Sequence, residues 1–360
     1  RPLSLDVLQG LGWMGLLVGR QRRTLSSPWA QGWPSHPVAL WVSPAKACAF
    51  VPFVLIALWR YLMLNRDHQL DTEALLPGRS TEAGATRRTA LQAALGLGYA
   101  AAAAPVMAQT AIATSAEGLV AGQVSYEVDG FKVPAYRAAP EGKTGLPVVL
   151  VIQEIFGVHE YIADVCRRFA KAGYLAIAPE LYARQGNAAS YTEVSKLMAE
   201  LVSKVPDGQV MGDLDGAVKW AAANGGDAAR VGVTGFCWGG RITWLYAAHG
   251  PVKAGVAWYG RLVGQSTNLT PKHPVELTPI LKAPVLGLYG EKDSGIPLDT
   301  VDKMKSALAS GSAAAKVSEF VVYPDAPHAF HADYRPSYRK EAAEDGFKRT
   351  LAWFKTHGVI

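Results

Sequence analysis

The sequence predicts an α/β fold, a mostly parallel central sheet with helices on both faces. From residue 120 onward, apolar runs of strand length alternate with stretches of helical spacing, the order that βαβ units impose. The first run, Pro147-Val-Val-Leu-Val-Ile152, is apolar at every position, as a strand covered on both faces requires. The residues best suited to chemistry also fall just after predicted strands, where open α/β sheets place their sites.

The elements follow in order. After Ile152 a helical stretch runs through Phe169 and Ala170 and is stopped by Gly173. Tyr174–Ala178 is the next strand, ended by Pro179, which cannot continue a ladder. Asp213–Ala223 has apolar residues at helical spacing, and Arg230–Thr234 is a strand running into a Gly-rich turn, with a helix beginning near Arg241. Ala254–Trp258, Val285–Tyr289 and Val317–Val322 complete the strands. Glu341 to Thr356 is an amphipathic helix with Ala343, Phe347, Leu351 and Phe354 on one face.

Composition narrows the function. Of the net charge of +6, five charges lie ahead of residue 109, where ten Lys or Arg face five Asp or Glu. The remainder, 26 basic against 25 acidic residues, carries no electrostatic footprint for nucleic acid, and no such partner is expected. The three cysteines, Cys48, Cys166 and Cys237, are odd in number and far apart, so neither a disulfide framework nor a metal-ligand cluster is expected. Cys166 lies in the helical pattern DVCRRFAKAG and reads as a small buried apolar residue.

Thr86-Arg87-Arg88-Thr89-Ala90-Leu91 opens a twin-arginine export pattern. A weakly apolar run, Ala93 to Ala104, follows, and then Pro105-Val106-Met107-Ala108, which fits a cleavage site with Gln109 as the first mature residue. The run is well short of the roughly 20 residues that span a bilayer. The alternative is an Ala-rich surface helix. The expected organisation is an upstream extension over residues 1–62, a signal peptide starting at Met63 and ending at 108, and one domain over 109–360. Ala47–Trp59 is apolar but short and contains Pro52, so no stable membrane span is expected. The expected partners are the twin-arginine export machinery and a small-molecule ester or lactone, and the expected location is periplasmic or secreted.

Gly235-Phe236-Cys237-Trp238-Gly239-Gly240 joins a strand to a helix as a Gly-x-nucleophile-x-Gly elbow, the turn of the α/β-hydrolase fold with Cys in place of Ser. The turn is too tight for Cβ atoms on both sides of the nucleophile, and the helix N-terminus behind Cys237 favours the thiolate. The competing reading is a buried structural Cys in a Gly-rich turn. In this fold the order is nucleophile, acid, His. Asp293, in Gly290-Glu291-Lys292-Asp293, and His328, in Asp325-Ala326-Pro327-His328, follow Cys237 in that order, each just past a strand. Glu291 is the rival acid and His331 the rival base. His159, His249 and His273 read as surface or packing residues. Gln153-Glu154-Ile155-Phe156-Gly157 ends the first buried strand, where the fold supplies its second oxyanion N–H. That assigns the oxyanion hole to the backbones of Ile155 and Trp238 and points Glu154 into the same pocket, its alternative being a solvated strand-end carboxylate.

These residues resemble the dienelactone hydrolase (carboxymethylenebutenolidase) family. The matching pieces are QEIFG at 153–157, PELYARQG at 179–186, GDLDGA at 212–217, GFCWGG at 235–240, GEKD at 290–293 and PHAF at 327–330. The resemblance implies a triad of Cys237, His328 and Asp293, and a Glu154 that contacts the resting thiol until an acidic substrate displaces it. It also implies two arginines for a substrate carboxylate, and here the sequence departs from the pattern. The position four residues beyond His328 is Ala332, and Tyr191–Ala199 contains no Arg. Arg241, Arg261, Arg335 and His331 are the candidates to substitute. The expected activity is hydrolysis of a lactone or activated ester through a thioester acyl-enzyme, with no metal or organic cofactor. The alternatives are a general carboxylesterase or thioesterase on the same scaffold, or a non-catalytic exported binding protein.

Overall fold

The computed structural model describes residues 112–360, so the export segment, the upstream extension and Cys48 lie outside the described residues. Eight strands form one sheet in the order β1-β2-β4-β3-β5-β6-β7-β8. They are β1 (Leu119–Val128), β2 (Phe131–Pro140), β3 (Leu146–Ile152), β4 (Leu175–Pro179), β5 (Gly226–Phe236), β6 (Ala254–Trp258), β7 (Val285–Gly290) and β8 (Glu319–Tyr323). From β4 to β8 every neighbouring pair is parallel, while β2 runs antiparallel to both β1 and β4. The continuous apolar runs are the central strands, and every residue of β3, β4, β6 and β7 is buried.

The β1–β2 hairpin is absent from the sequence-based list of strands. Its half-exposed faces dilute the apolar signal, and β1 buries only Tyr126 fully. The turn carries the missing clue: Asp129 and Gly130, at φ 50° and 73°, join Val128 to its partner Phe131. An Asp-Gly pair in this left-handed conformation is a two-residue hairpin turn.

Five longer helices cover the sheet: α1 (Glu160–Lys171), α2 (Asp207–Ala223), α3 (Trp238–His249), α4 (Leu298–Ala309) and α5 (Lys340–Thr356). Strand periodicity sorts α3 from α5. A side chain at Gly255 would meet Thr243 of α3, whereas Gly346 of α5 abuts Trp258, and positions 255 and 258 point to opposite faces of β6. Phe169 of α1 stacks near Phe347 and Phe354, so α1 joins α5 on its face. Tyr246 of α3 donates to Asp215 of α2 on the other. Helix α2 starts at Asp207, earlier than the predicted Asp213, and α3 starts at Trp238 rather than Arg241. Helix α4 was not predicted, although Val301, Met304 and Leu308 bury one face at helical spacing.

The strand ends are in register. Phe236 pairs with Trp258, Trp258 with Leu288, and Tyr289 with Val322. Residues just after β5, β6, β7 and β8 therefore share one edge of the sheet. The chain leaves β3 toward β4 on one side and returns to β5 on the other, which makes the β3/β5 crevice a topological switch point, the usual place for a ligand.

Candidate active site

Cys237 occupies the turn between β5 and α3 with φ 56° and ψ −114°, a conformation that costs a non-glycine residue about 1–3 kcal/mol. The neighbouring glycines make the turn possible. A Cβ on Gly235 would lie 2.2 Å from the Gly239 carbonyl oxygen, and one on Gly239 would lie 2.5 Å from the carbonyls of Ile152 and Gln153. The turn is pinned from outside by the Cys237 amide, which donates to Trp258 O at 3.0 Å. Cys237 is partly exposed, whereas Cys166 is fully buried and its thiol is pushed up by that burial, as expected for an inert core residue.

Asp293 and His328 meet as the sequence order predicts. His328 Nδ1 lies 2.7 Å from Asp293 Oδ2, and Asp293 Oδ1 accepts from the amides of Gly295 (2.9 Å) and Ile296 (3.2 Å). Both side chains are buried. Burial opposes a charged imidazole, but the Asp293 carboxylate and the Cys237 thiol outweigh it and hold His328 well above its ordinary range. The rivals are placed elsewhere. Glu291 is exposed and accepts from the Asp325 amide. His331 is buried with Nδ1 2.6 Å from the Tyr161 hydroxyl, and burial first, then Arg168, keeps it neutral.

Ile155 follows β3 and Trp238 begins α3, so the contact of Gly239 with the Ile152 and Gln153 carbonyls brings their two backbones side by side. The first amides of a helix lack intrahelical acceptors, which leaves Trp238 N–H suited to a developing oxyanion. Glu154 is fully buried rather than solvated. Its Oε2 accepts a 2.8 Å bond from the Tyr334 hydroxyl and lies 3.9 Å from His159 Nε2, and its Oε1 has no hydrogen-bond partner. Burial pushes the Glu154 carboxyl up, yet His159, Arg335 and Tyr334 outweigh it and hold it below the usual range.

The surroundings correct and extend the sequence reading. His159 takes the packing alternative, edge-on against Tyr334 with ring centroids 5.0 Å apart, and in addition faces Glu154. His249 pairs with Asp215 at the surface, and His273 is buried beside Gly264, so those two readings hold. Tyr259, with φ 37°, stands edge-on to His328 at 5.1 Å, and Tyr182 stands edge-on to Trp238 at 4.9 Å. Burial pushes both phenols well up, so they stay protonated. Tyr259 had a readable signal, since it directly follows a predicted strand; Tyr334 lies in an irregular loop and had none. Of the candidate cations, Arg241 is locked in a buried bidentate pair with Asp207. Arg335 lies 5.7 Å from the Phe156 ring and its charge reaches Glu154, whereas Ala332 is buried and neutral. Among the described residues no group of three or more His, Cys, Asp or Glu is arranged to hold a metal ion, and no helix is long and apolar enough to cross a membrane.

Comparison with known proteins shows the family. A family model described as "Dienelactone hydrolase family" matches residues 133–358. A protein of Methylorubrum extorquens named as a carboxymethylenebutenolidase is 60% identical over 276 residues, covering 76% of this chain and 94% of its own. One of Escherichia coli K12 with the same name is 54% identical over 263 residues, covering 72% and 96%. The crystal structure of a dienelactone hydrolase from Klebsiella pneumoniae superposes with a TM-score of 0.64 at 58% identity, covering 66% of this chain and 98% of that one.

Proposed function

The chain belongs to the dienelactone hydrolase family, hydrolases acting on ester bonds, and from that membership we propose that it cleaves a lactone or activated ester through Cys237. The observation that carries the proposal is the Asp293–His328 pair, at 2.7 Å, at the same sheet edge as the Cys237 turn.

In this reading His328 takes the thiol proton and Asp293 stabilises the imidazolium and its tautomer. The thiolate attacks the carbonyl carbon, and the Ile155 and Trp238 N–H groups stabilise the oxyanion. Collapse breaks the acyl–oxygen bond, His328 returns the proton to the leaving oxygen, and a thioester remains on Cys237. Water deprotonated by His328 then attacks the thioester, releasing the acid and restoring the thiol. A thiolate suits esters and enol lactones, whose leaving oxygens are stabler than an amine. The unpartnered Glu154 Oε1 leaves that carboxylate open to the resting thiol, and an acidic substrate would displace it.

A second reading, a carboxylesterase or thioesterase for neutral acyl groups, is favoured by one observation. Ala332 is apolar and buried where the family resemblance implies an arginine, and Arg241 and His331 are already engaged. Hydrolysis of dienelactone beside neutral aryl and alkyl esters, by wild type and Cys237→Ala, separates the readings. Cys237-dependent turnover favouring dienelactone supports the first, and turnover of neutral esters alone supports the second. Activity that persists in Cys237→Ala removes both.

We also propose twin-arginine export with cleavage after Ala108. N-terminal sequencing of the native protein tests it, and a mature chain retaining Arg87-Arg88 contradicts it.

A further inference from the structure

Glu180, which no part of the mechanism above uses, lies just past β4 and reaches across to the segment that carries Ile155. Its own amide donates to Pro134 O at 2.8 Å, which fixes its backbone against β2. Its side chain then holds both ends of the stretch from Gln153 to Val158. Oε2 accepts from the Val158 amide at 2.8 Å. Gln153, in the amide orientation that satisfies both its ends, donates to Oε1 at 3.1 Å and to Pro179 O at 3.2 Å. Between them, Gly157 takes φ 78° directly beneath the carboxylate, where a Cβ would stand 3.0 Å from Oε2. The carboxylate therefore grips a turn whose middle residues are Ile155 and Phe156, with Glu154 just before them. Two residues beyond Glu180, the Tyr182 ring packs edge-on against Trp238, the other residue whose amide faces the reacting carbonyl in the reading above.

We propose that Glu180 is a positioning residue for the oxyanion hole, setting the placement of the Ile155 N–H relative to the Trp238 N–H by anchoring Val158 and Gln153. The inference rests on the reading of Cys237 as nucleophile and of those two amides as oxyanion donors. It differs from a general structural role in one respect. Glu180 serves the stabilisation of a tetrahedral oxyanion and leaves the Asp293–His328–Cys237 line untouched, because none of its hydrogen bonds reaches those residues. Acyl transfer and simple alkylation of the thiol should therefore respond differently to its loss, since alkylation of a thiolate by iodoacetamide forms no oxyanion.

The test compares wild type with Glu180→Ala, Glu180→Asp and Glu180→Gln in the full chain. It reads kcat and KM for p-nitrophenyl acetate, the rate of Cys237 alkylation by iodoacetamide, and the melting temperature. Misplacing one oxyanion donor predicts a kcat loss of about 10–100-fold in the Ala and Asp variants, with KM and alkylation rate within about threefold of wild type. The Gln variant can keep an acceptor for Val158 while Gln153 keeps its bond to Pro179 O and loses only the one to position 180, so most of kcat returns. The Asp variant retains the charge and falls short of Val158, which keeps the test decisive if Glu180→Ala does not fold. Unchanged kcat in the Asp variant overturns the proposal, and so does an alkylation rate that falls in parallel with kcat. Wild-type activity that survives Cys237→Ala removes the nucleophile reading instead, a result none of the Glu180 variants can produce.

Discussion

The Tyr334 hydroxyl donates a 2.8 Å hydrogen bond to the buried carboxylate of Glu154, joining positions 180 residues apart in the chain. The bond places a neutral donor on a carboxylate that also has His159 and the charge of Arg335 beside it. Glu154 is thus kept ionised inside the protein, within the pocket assigned to the reaction.

That ionisation has a pH signature. The folded-state pKa of Glu154 lies below its ordinary 4.5, so the unfolded chain binds more protons on acidification and stability rises with pH through that window. The contribution is complete above the unfolded value and is lost as pH falls through the folded one. Melting curves of wild type and Glu154→Gln should therefore differ by a constant amount near neutral pH and converge below about pH 4.5. A difference independent of pH down to strongly acid conditions contradicts the assignment.

The pairing of Asp293 with His328 predicts a sharp contrast between two neighbouring carboxylates. Asp293→Asn should lower kcat by roughly 10³–10⁴-fold, the cost of orienting the wrong tautomer, with the melting temperature little changed. Glu291→Gln should leave kcat within about twofold, because the Glu291 side chain is exposed and meets the Asp325 amide and Lys292 rather than His328. Steady-state kinetics of both variants decide the matter, and equal losses would contradict it.

Gly239→Ala should destabilise the fold by at least about 1–3 kcal/mol, the usual cost of forcing extra volume into a close-packed site. The added carbon would sit 2.5 Å from two backbone carbonyl oxygens, and backbone yields less readily than a side chain. Thermal or chemical denaturation measures the loss. A variant as stable as wild type would mean that the elbow is looser than described.

The two described cysteines should react differently. Brief iodoacetamide treatment of the folded protein followed by peptide mapping should label Cys237 and spare Cys166. Cys166 lies at 0% exposure with its thiol pushed up by burial. Equal labelling would contradict the burial or the activation of Cys237.

Much of this was legible in the sequence because the decisive signals are local. The all-apolar run ending at Ile152, the glycines around Cys237 and the placement of Asp293 and His328 past strand ends each state a physical requirement that neighbouring residues meet. The β1–β2 hairpin was missed because its half-exposed strands lack a clean alternation, leaving only Asp129-Gly130 to announce it. The partners of Glu154 could not be read at all. Tyr334 and His159 reach it from different loops, and nothing in the spacing of either records which side chain will face a buried carboxylate. Ala332 shows the converse: the resemblance flagged a missing arginine, but only the structure shows that the position is buried.

The central claim is that an acyl group passes through Cys237. Rapid quenching of the enzyme with a slowly hydrolysed aryl ester, followed by mass analysis of its peptides, tests it most directly. The account predicts a transient adduct of acyl mass on the peptide containing Cys237, absent in Cys237→Ala, which turns over no ester. Undiminished turnover in that variant, or an acyl adduct confined to another residue, would contradict it.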